Sequence, residues 1–204
     1  SNDGSRGLGD VYKRQAHLAV APGTKTGAQI HWSEDGKVCL ACLGTWLPVP
    51  AERGRNEAWL LSEYARSGAV ALAKQLQGLF ALMIVDQNTG QTHVITDRCG
   101  SLHMYWHRGA EGSSVCTSSA ALAISANATL DPVATHEFIA TGIIYEDRSL
   151  WRNIAKIPPA SVLTMDGSGA HSQKYWGFGE VKAESLTLDQ AVDQAFDGLV
   201  QVLR

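Results

Sequence analysis

Apolar residues recur along this chain in two rhythms, one of strand length and one of helical period. Short apolar runs at 18–21 (LAVA), 28–32 (AQIHW) and 38–44 (VCLACLG) are bounded by Pro, Gly or Asp and predict strands. The run at 79–85, LFALMIV, is apolar at every position and predicts a strand covered on both faces. Gln87-Asn88-Thr89-Gly90 predicts a hairpin turn into a return strand at 92–97. Residues 102–108 and 113–118 predict a further strand pair, and 160–176 a hairpin around Asp166-Gly167-Ser168-Gly169.

Helical spacing predicts a helix over 56–66 with Leu60, Leu61 and Tyr64 on one face, and a second over 69–76 ended by Gly78. A short helix is expected at 120–126. Asp131-Pro132 marks a start, with a capping carboxylate before a Pro in the first turn, for a helix that runs to Thr141 and stops at Gly142. Near the end, Thr187 and Gln190 have capping-box spacing. Val192, Phe196, Leu199, Val200 and Leu203 then form an apolar stripe that reaches almost to Arg204. That stripe predicts a helix that packs on a partner domain beyond it. Many strands with helices before and after predict an α+β fold of two stacked sheets with helices outside.

Residues 1–15 follow neither rhythm. They are Gly-rich and polar, and read as a non-native leader. The chain is long enough for one good-sized domain, or for one domain plus the start of another. Charged residues make up 18% and the net charge is −3 without a basic run, which argues against nucleic acid and anionic membranes as partners. No apolar stretch approaches the ~20 residues of a membrane span, and a cytoplasmic location is expected. The four cysteines are Cys39, Cys42, Cys99 and Cys116. Cys39 and Cys42 lie three apart in a strand, on opposite faces, and read as buried thiols rather than half of a zinc site. His103 and His107 are four apart, but in a strand they would stand ~13 Å apart, so no metal pair is expected.

The stretch from Leu76 to Tyr105 resembles the core of class II glutamine amidotransferase domains, and among these the asparagine synthetases and their relatives. Gly78, Phe80, Ala81, Asp86, Asp97, Gly100 and Tyr105 stand at the spacings of that pattern. Residues 130–166 and the QKYWGF segment at 173–178 resemble the family's later helix, its Ile-Pro-Pro turn and its closing Tyr-Trp. The resemblance implies a four-layer αββα sandwich of the N-terminal-nucleophile hydrolase type over 16–178. Residues 179–204 would then be a linker and the first helix of a synthetase domain. It implies that the parent is an ATP-dependent amide-forming enzyme, such as a glutamine-hydrolysing asparagine synthase. ATP and Mg would belong to the synthetase domain and no cofactor to this part. That domain would be the principal partner, with a homodimer possible.

The resemblance also locates a glutamine site. The family nucleophile is an N-terminal Cys whose own amine acts as base. Ser1 lies in the leader, so no catalytic residue is expected within the chain. Four positions match the family's substrate contacts. His17 stands where an Arg grips the glutamine carboxylate. Leu43 and Gly44 stand where an Asn-Gly pair forms the oxyanion hole, and Asn56 where an Asp holds the α-amine. Leu43 offers no side-chain donor, and loss of one such donor typically costs ~10²–10³ in rate. Asp97, Gly78 and Gly100 read as structural, with Asp97-Arg98 a candidate ion pair. Two readings follow: a domain that has lost glutaminase chemistry and docks its synthetase, as in β-lactam- or lasso-peptide-forming relatives, or a working site in a shifted register.

Overall fold

The computed structural model of the protein describes residues 29–49, 56–109, 112–181 and 183–203. The leader, His17 and the run at 18–21 lie outside them. In chain order the elements are β1 (Gln29–Trp32), β2 (Val38–Pro48), α1 (Glu57–Lys74), β3 (Leu76–Asp86), β4 (Gln91–Thr96), β5 (Tyr105–Gly109), β6 (Gly112–Cys116), α2 (Ser119–Ala126), α3 (Pro132–Thr141), β7 (Ile154–Lys156), β8 (Ser161–Asp166), β9 (Gly169–Lys174) and α4 (Leu188–Leu203). Six strands form one sheet in the order β1-β2-β3-β4-β8-β9, and three form a second in the order β6-β5-β7. Every pairing is antiparallel.

Strand alternation sorts the apolar side chains into three cores, and these define four layers. On β3, Phe80, Leu82 and Ile84 point to α1 and pack with Leu60, Tyr64 and Leu72. Ala81 points the other way and meets Val94, Leu163, Met104 and Trp106 between the two sheets. The outer face of the small sheet carries Ile154 and Tyr105 against Leu122 and Ala123 of α2. The succession is therefore α1, six-stranded sheet, three-stranded sheet, α2: the αββα sandwich. Phe80, Leu60, Leu72 and Leu82 are fully buried. Each such side chain contributes about 1.5–3 kcal/mol relative to exposure.

Several local expectations hold. Asp131 Oδ1 accepts from the Val133 and Ala134 N–H groups at 2.9 Å, and α3 ends on Gly142 at φ +74°. Thr187 and Gln190 cap α4 reciprocally, at 3.0 and 3.3 Å. Cys39 and Cys42 are both buried, and Cys42 packs in the α1 core. Burial, followed by the Glu57 carboxylate, pushes the Cys42 thiol up to about 12, so it stays protonated and inert.

Other expectations need correction. The helices at 56–66 and 69–76 form one element broken at Gly68, which takes φ +81° and ψ 172°. Glu63 braces that kink, with its carboxylate bonded by Arg66, Ser67 and Gln75. The helix ends at Lys74, and Gly78 is not its cap. Gly78 lies inside β3 because Leu76 and Gln77 already pair with Pro48 and Leu47. Nor is β3 covered on both faces throughout, since Leu79 is 61% exposed. Strand β7 was not foreseen; its three residues are too few to show a period.

Candidate functional site

Leu43, Gly44, Gly78 and Asp97 lie around one corner, where β2, β3 and the turn after β4 meet. Gly44 pairs with Phe80 and Leu43 with Ala81, so the two positions sit directly across from the Gly-x-Phe-Ala stretch of β3. Gly44 takes φ +81°, and a Cβ there would lie 2.1 Å from the Leu79 carbonyl oxygen and 2.8 Å from Leu102 Cδ1. Gly78 takes φ +119°, and its Cβ would meet the Thr45 carbonyl oxygen at 2.4 Å. At these two positions the backbones of β2 and β3 approach each other with no room for a Cβ.

Leu43 is half-buried, and its side chain packs into the core between the sheets together with Met83, Leu102 and Trp106. Position 43 thus carries an aliphatic side chain without a hydrogen-bond donor, held by apolar neighbours. Leu102 and Leu79, which flank Gly44, are the members of this corner that sequence reading missed. Their only signal was apolar character next to conformationally special glycines.

Asn56 is brought to the start of α1, where its side-chain oxygen accepts from the Trp59 N–H at 3.3 Å. Trp59 stacks on Trp46 of β2 with ring centroids 5.9 Å apart, which ties the helix start to the strand that carries Gly44. The carboxamide therefore serves as a neutral N-cap.

Asp97 closes the corner from behind. Its carboxylate is buried and accepts from the Cys99 N–H at 2.8 Å, the Ser101 N–H at 3.0 Å and the Ser101 hydroxyl at 3.2 Å. Its backbone N–H donates to the Phe80 carbonyl, and its carbonyl accepts from Gly100 and Ala160. Gly100, at φ +64°, lies against Pro159. The anticipated Asp97–Arg98 ion pair does not form. Adjacent residues in this tight turn point apart, and the Arg98 guanidinium lies 5.3 Å from the Trp176 ring centroid with its Nε buried and unbonded. Tyr175 completes the support, its hydroxyl donating to the Thr96 carbonyl at 2.8 Å. Burial, reinforced by Asp97, holds that phenol well above its ordinary range.

His107 Nδ1 lies 2.8 Å from the Asn153 carbonyl oxygen, and His103 packs edge-on to Tyr105. Among the described residues no group of three or more His, Cys, Asp or Glu side chains could hold a metal ion. No helix among them is long and apolar enough to cross a membrane.

A family model described as a glutamine amidotransferase domain matches residues 56–176, more than half of the chain. No curated protein matches it. Among solved structures, the chain is similar to the glutamine phosphoribosylpyrophosphate (PRPP) amidotransferase from B. subtilis complexed with ADP and GMP. The identity is 15% and the TM-score 0.42, over 78% of this chain and 34% of that one. A second is the allosteric regulatory enzyme of purine biosynthesis, with 16% identity and TM-score 0.40, over 72% of this chain and 30% of that one. The chain thus spans about a third of the length of these structures.

Proposed function

The chain belongs to the glutamine amidotransferase domain family, of the class II type its motifs resemble, and from that premise we propose that it is the amidotransferase-like domain of an ATP-dependent amide-forming enzyme of the asparagine synthetase kind, with its glutaminase site degraded. The observation that carries the loss of glutaminase chemistry is Leu43. Its side chain is packed into the inter-sheet core beside Gly44, where an oxyanion would need a hydrogen-bond donor. A donor cannot be recovered there by rotating a side chain that has none. Asn56 supports the same reading, because its one acceptor oxygen is bonded to the α1 N-terminus and it brings no charge to a substrate amine.

The amide-forming half of the reading rests on the motif resemblance and on α4, an amphipathic helix that follows the closing Tyr175-Trp176. ATP and Mg would be held by the domain that α4 opens, and 16–178 would form the sandwich unit. In this reading the domain's task is to dock and support its neighbour. Exposed apolar residues on α3 and the loop after it, Val133, Ile139 and Ile143, favour such a docking role.

The test uses the full-length gene product with ATP, and compares ¹⁵N-ammonium with amide-¹⁵N-glutamine as nitrogen source. Ammonium or another amine is expected to be incorporated with ATP consumption, while glutamine releases no glutamate. Release of glutamate at a rate matching amide formation would defeat the degraded-site reading. Absence of ATP consumption with any carboxylate acceptor would defeat the synthetase reading.

A further inference from the structure

We propose that a cleft at the β7 edge of the three-stranded sheet is a second small-molecule site, which binds a free α-amino acid. The cleft encloses about 400 Å³ and is lined by Trp106, Arg108, Asp131, Asp147, Arg148 and Trp151, among others. That volume suits a small metabolite. Trp106 and Trp151 are half-buried indoles, and each anchors in a different core, Trp106 between the sheets and Trp151 under α2. They form apolar walls fixed from opposite sides.

The charges in the cleft divide into engaged and unengaged groups. Arg148 is engaged: its guanidinium lies 2.8 Å from Glu137 and 3.5 Å from Glu146. Arg108 makes no ion pair among the described residues. Its Nη1 lies over the β8–β9 turn, 3.0 Å from where a Cβ on Gly169 would be. Asp131 is engaged as well, its Oδ1 capping α3 and its charge facing Arg148, whereas the Asp147 carboxylate makes no hydrogen bond among the described residues. One unengaged cation, Arg108, and one unengaged carboxylate, Asp147, thus share a cleft with two aromatic walls. A simple anion would meet the carboxylates, and a simple cation would meet Arg108. A zwitterion satisfies both, with its carboxylate on Arg108, its ammonium on Asp147 and its side chain against the indoles.

The backbone around the cleft is held in uncommon conformations. Glu146 takes φ +58° and Asn153 φ +61°. Asn tolerates this region, but Glu seldom adopts it, and such outliers persist where surrounding structure holds them. The cleft is also distinct from the Gly44 corner. Arg108 reaches the β8–β9 turn, at the end of the large sheet where Asp86 pairs with Gln91. Gly44 pairs with Phe80, six residues away along β3, which is about 20 Å. This proposal is independent of the glutaminase reading.

The test is calorimetric titration of the protein with each of the common free L-amino acids, with acetate and methylammonium as single-charge controls. At least one amino acid is expected to bind with a dissociation constant of about 1 mM or tighter. Capping its amine by acetylation, or its carboxylate as an amide, is expected to weaken binding by about tenfold or more. Arg108→Gln and Asp147→Asn, both at exposed side chains, are expected to do the same with unchanged thermal melting. No heat from any amino acid would overturn the proposal, as would equal binding of the capped forms or of the Arg108→Gln protein.

Discussion

At the scale of single residues, Gly44 shows how space and backbone conformation combine. Both Gly44 and Gly142 have positive φ, but a Cβ on Gly142 meets nothing within 4 Å, whereas one on Gly44 would lie 2.1 Å from a backbone carbonyl oxygen. Gly142→Ala therefore pays only the left-handed strain of about 1 kcal/mol, while Gly44→Ala must separate two strands and is expected to cost about 3 kcal/mol. Urea denaturation midpoints of the two variants check the difference. Asn56 gives a second contrast. Asn56→Ala removes the α1 cap and should cost about 1 kcal/mol. Asn56→Asp keeps the cap and adds a charge that the helix N-terminus favours, so its stability should match or exceed that of the parent. An Asp variant less stable than the Ala variant would show that the cap is not what Asn56 contributes.

At the scale of elements, the packing of α1 on the large sheet contains a buried polar cluster with a pH signature. Tyr64 donates to Asp86 at 3.0 Å and packs at 5.6 Å from the His93 ring, and His93 Nδ1 lies 2.9 Å from the Thr164 hydroxyl. Burial lowers the His93 pKa below its ordinary 6.5, only partly opposed by Asp86. A group whose folded pKa is depressed resists taking up its proton in the folded state. Its contribution is full above the unfolded pKa and is lost as pH falls through about 6.5 and below. Folding stability should therefore decline between pH 7 and pH 5, before most carboxylates titrate, and His93→Gln should flatten that part of the profile. Thermal melts at stepped pH measure it, and equal slopes in the two proteins would refute the assignment. This cluster was not legible in the sequence. Tyr64, Asp86, His93 and Thr164 come from four elements, and no local spacing relates them.

At the scale of the whole molecule, α4 stands apart. Leu188, Val192, Phe196 and Leu199 form one stripe and are all exposed, Phe196 at 64%. A stripe of this size on a free helix drives association. The protein is expected to show concentration-dependent light scattering, and Phe196→Glu should shift it toward monomer without lowering the melting temperature, because Phe196 packs on nothing in the sandwich. A clean monomer at high concentration for the parent protein would refute this. The same scale explains the Gly44 corner. Leu43 reads as one more apolar residue in a strand, and only the stacking of the second sheet shows it packed with Leu102 and Trp106.

Much of this protein was determined by sequence alone, because strand period, turn glycines and helix caps are local properties. The β2–β4 strands, the hairpin at 166–169, the start and stop of α3 and the cap of α4 all follow from residues within a few positions of one another. The motif order from Gly78 to Trp176 likewise identified the family. Tertiary structure decided the rest. Gly78 became part of strand β3 rather than a helix cap because Leu76 and Gln77 found partners on β2. Asp97 turned to backbone amides rather than to Arg98, and β7 formed only because β5 offered it an edge. In each case the deciding energy came from groups distant in sequence, which no local pattern encodes.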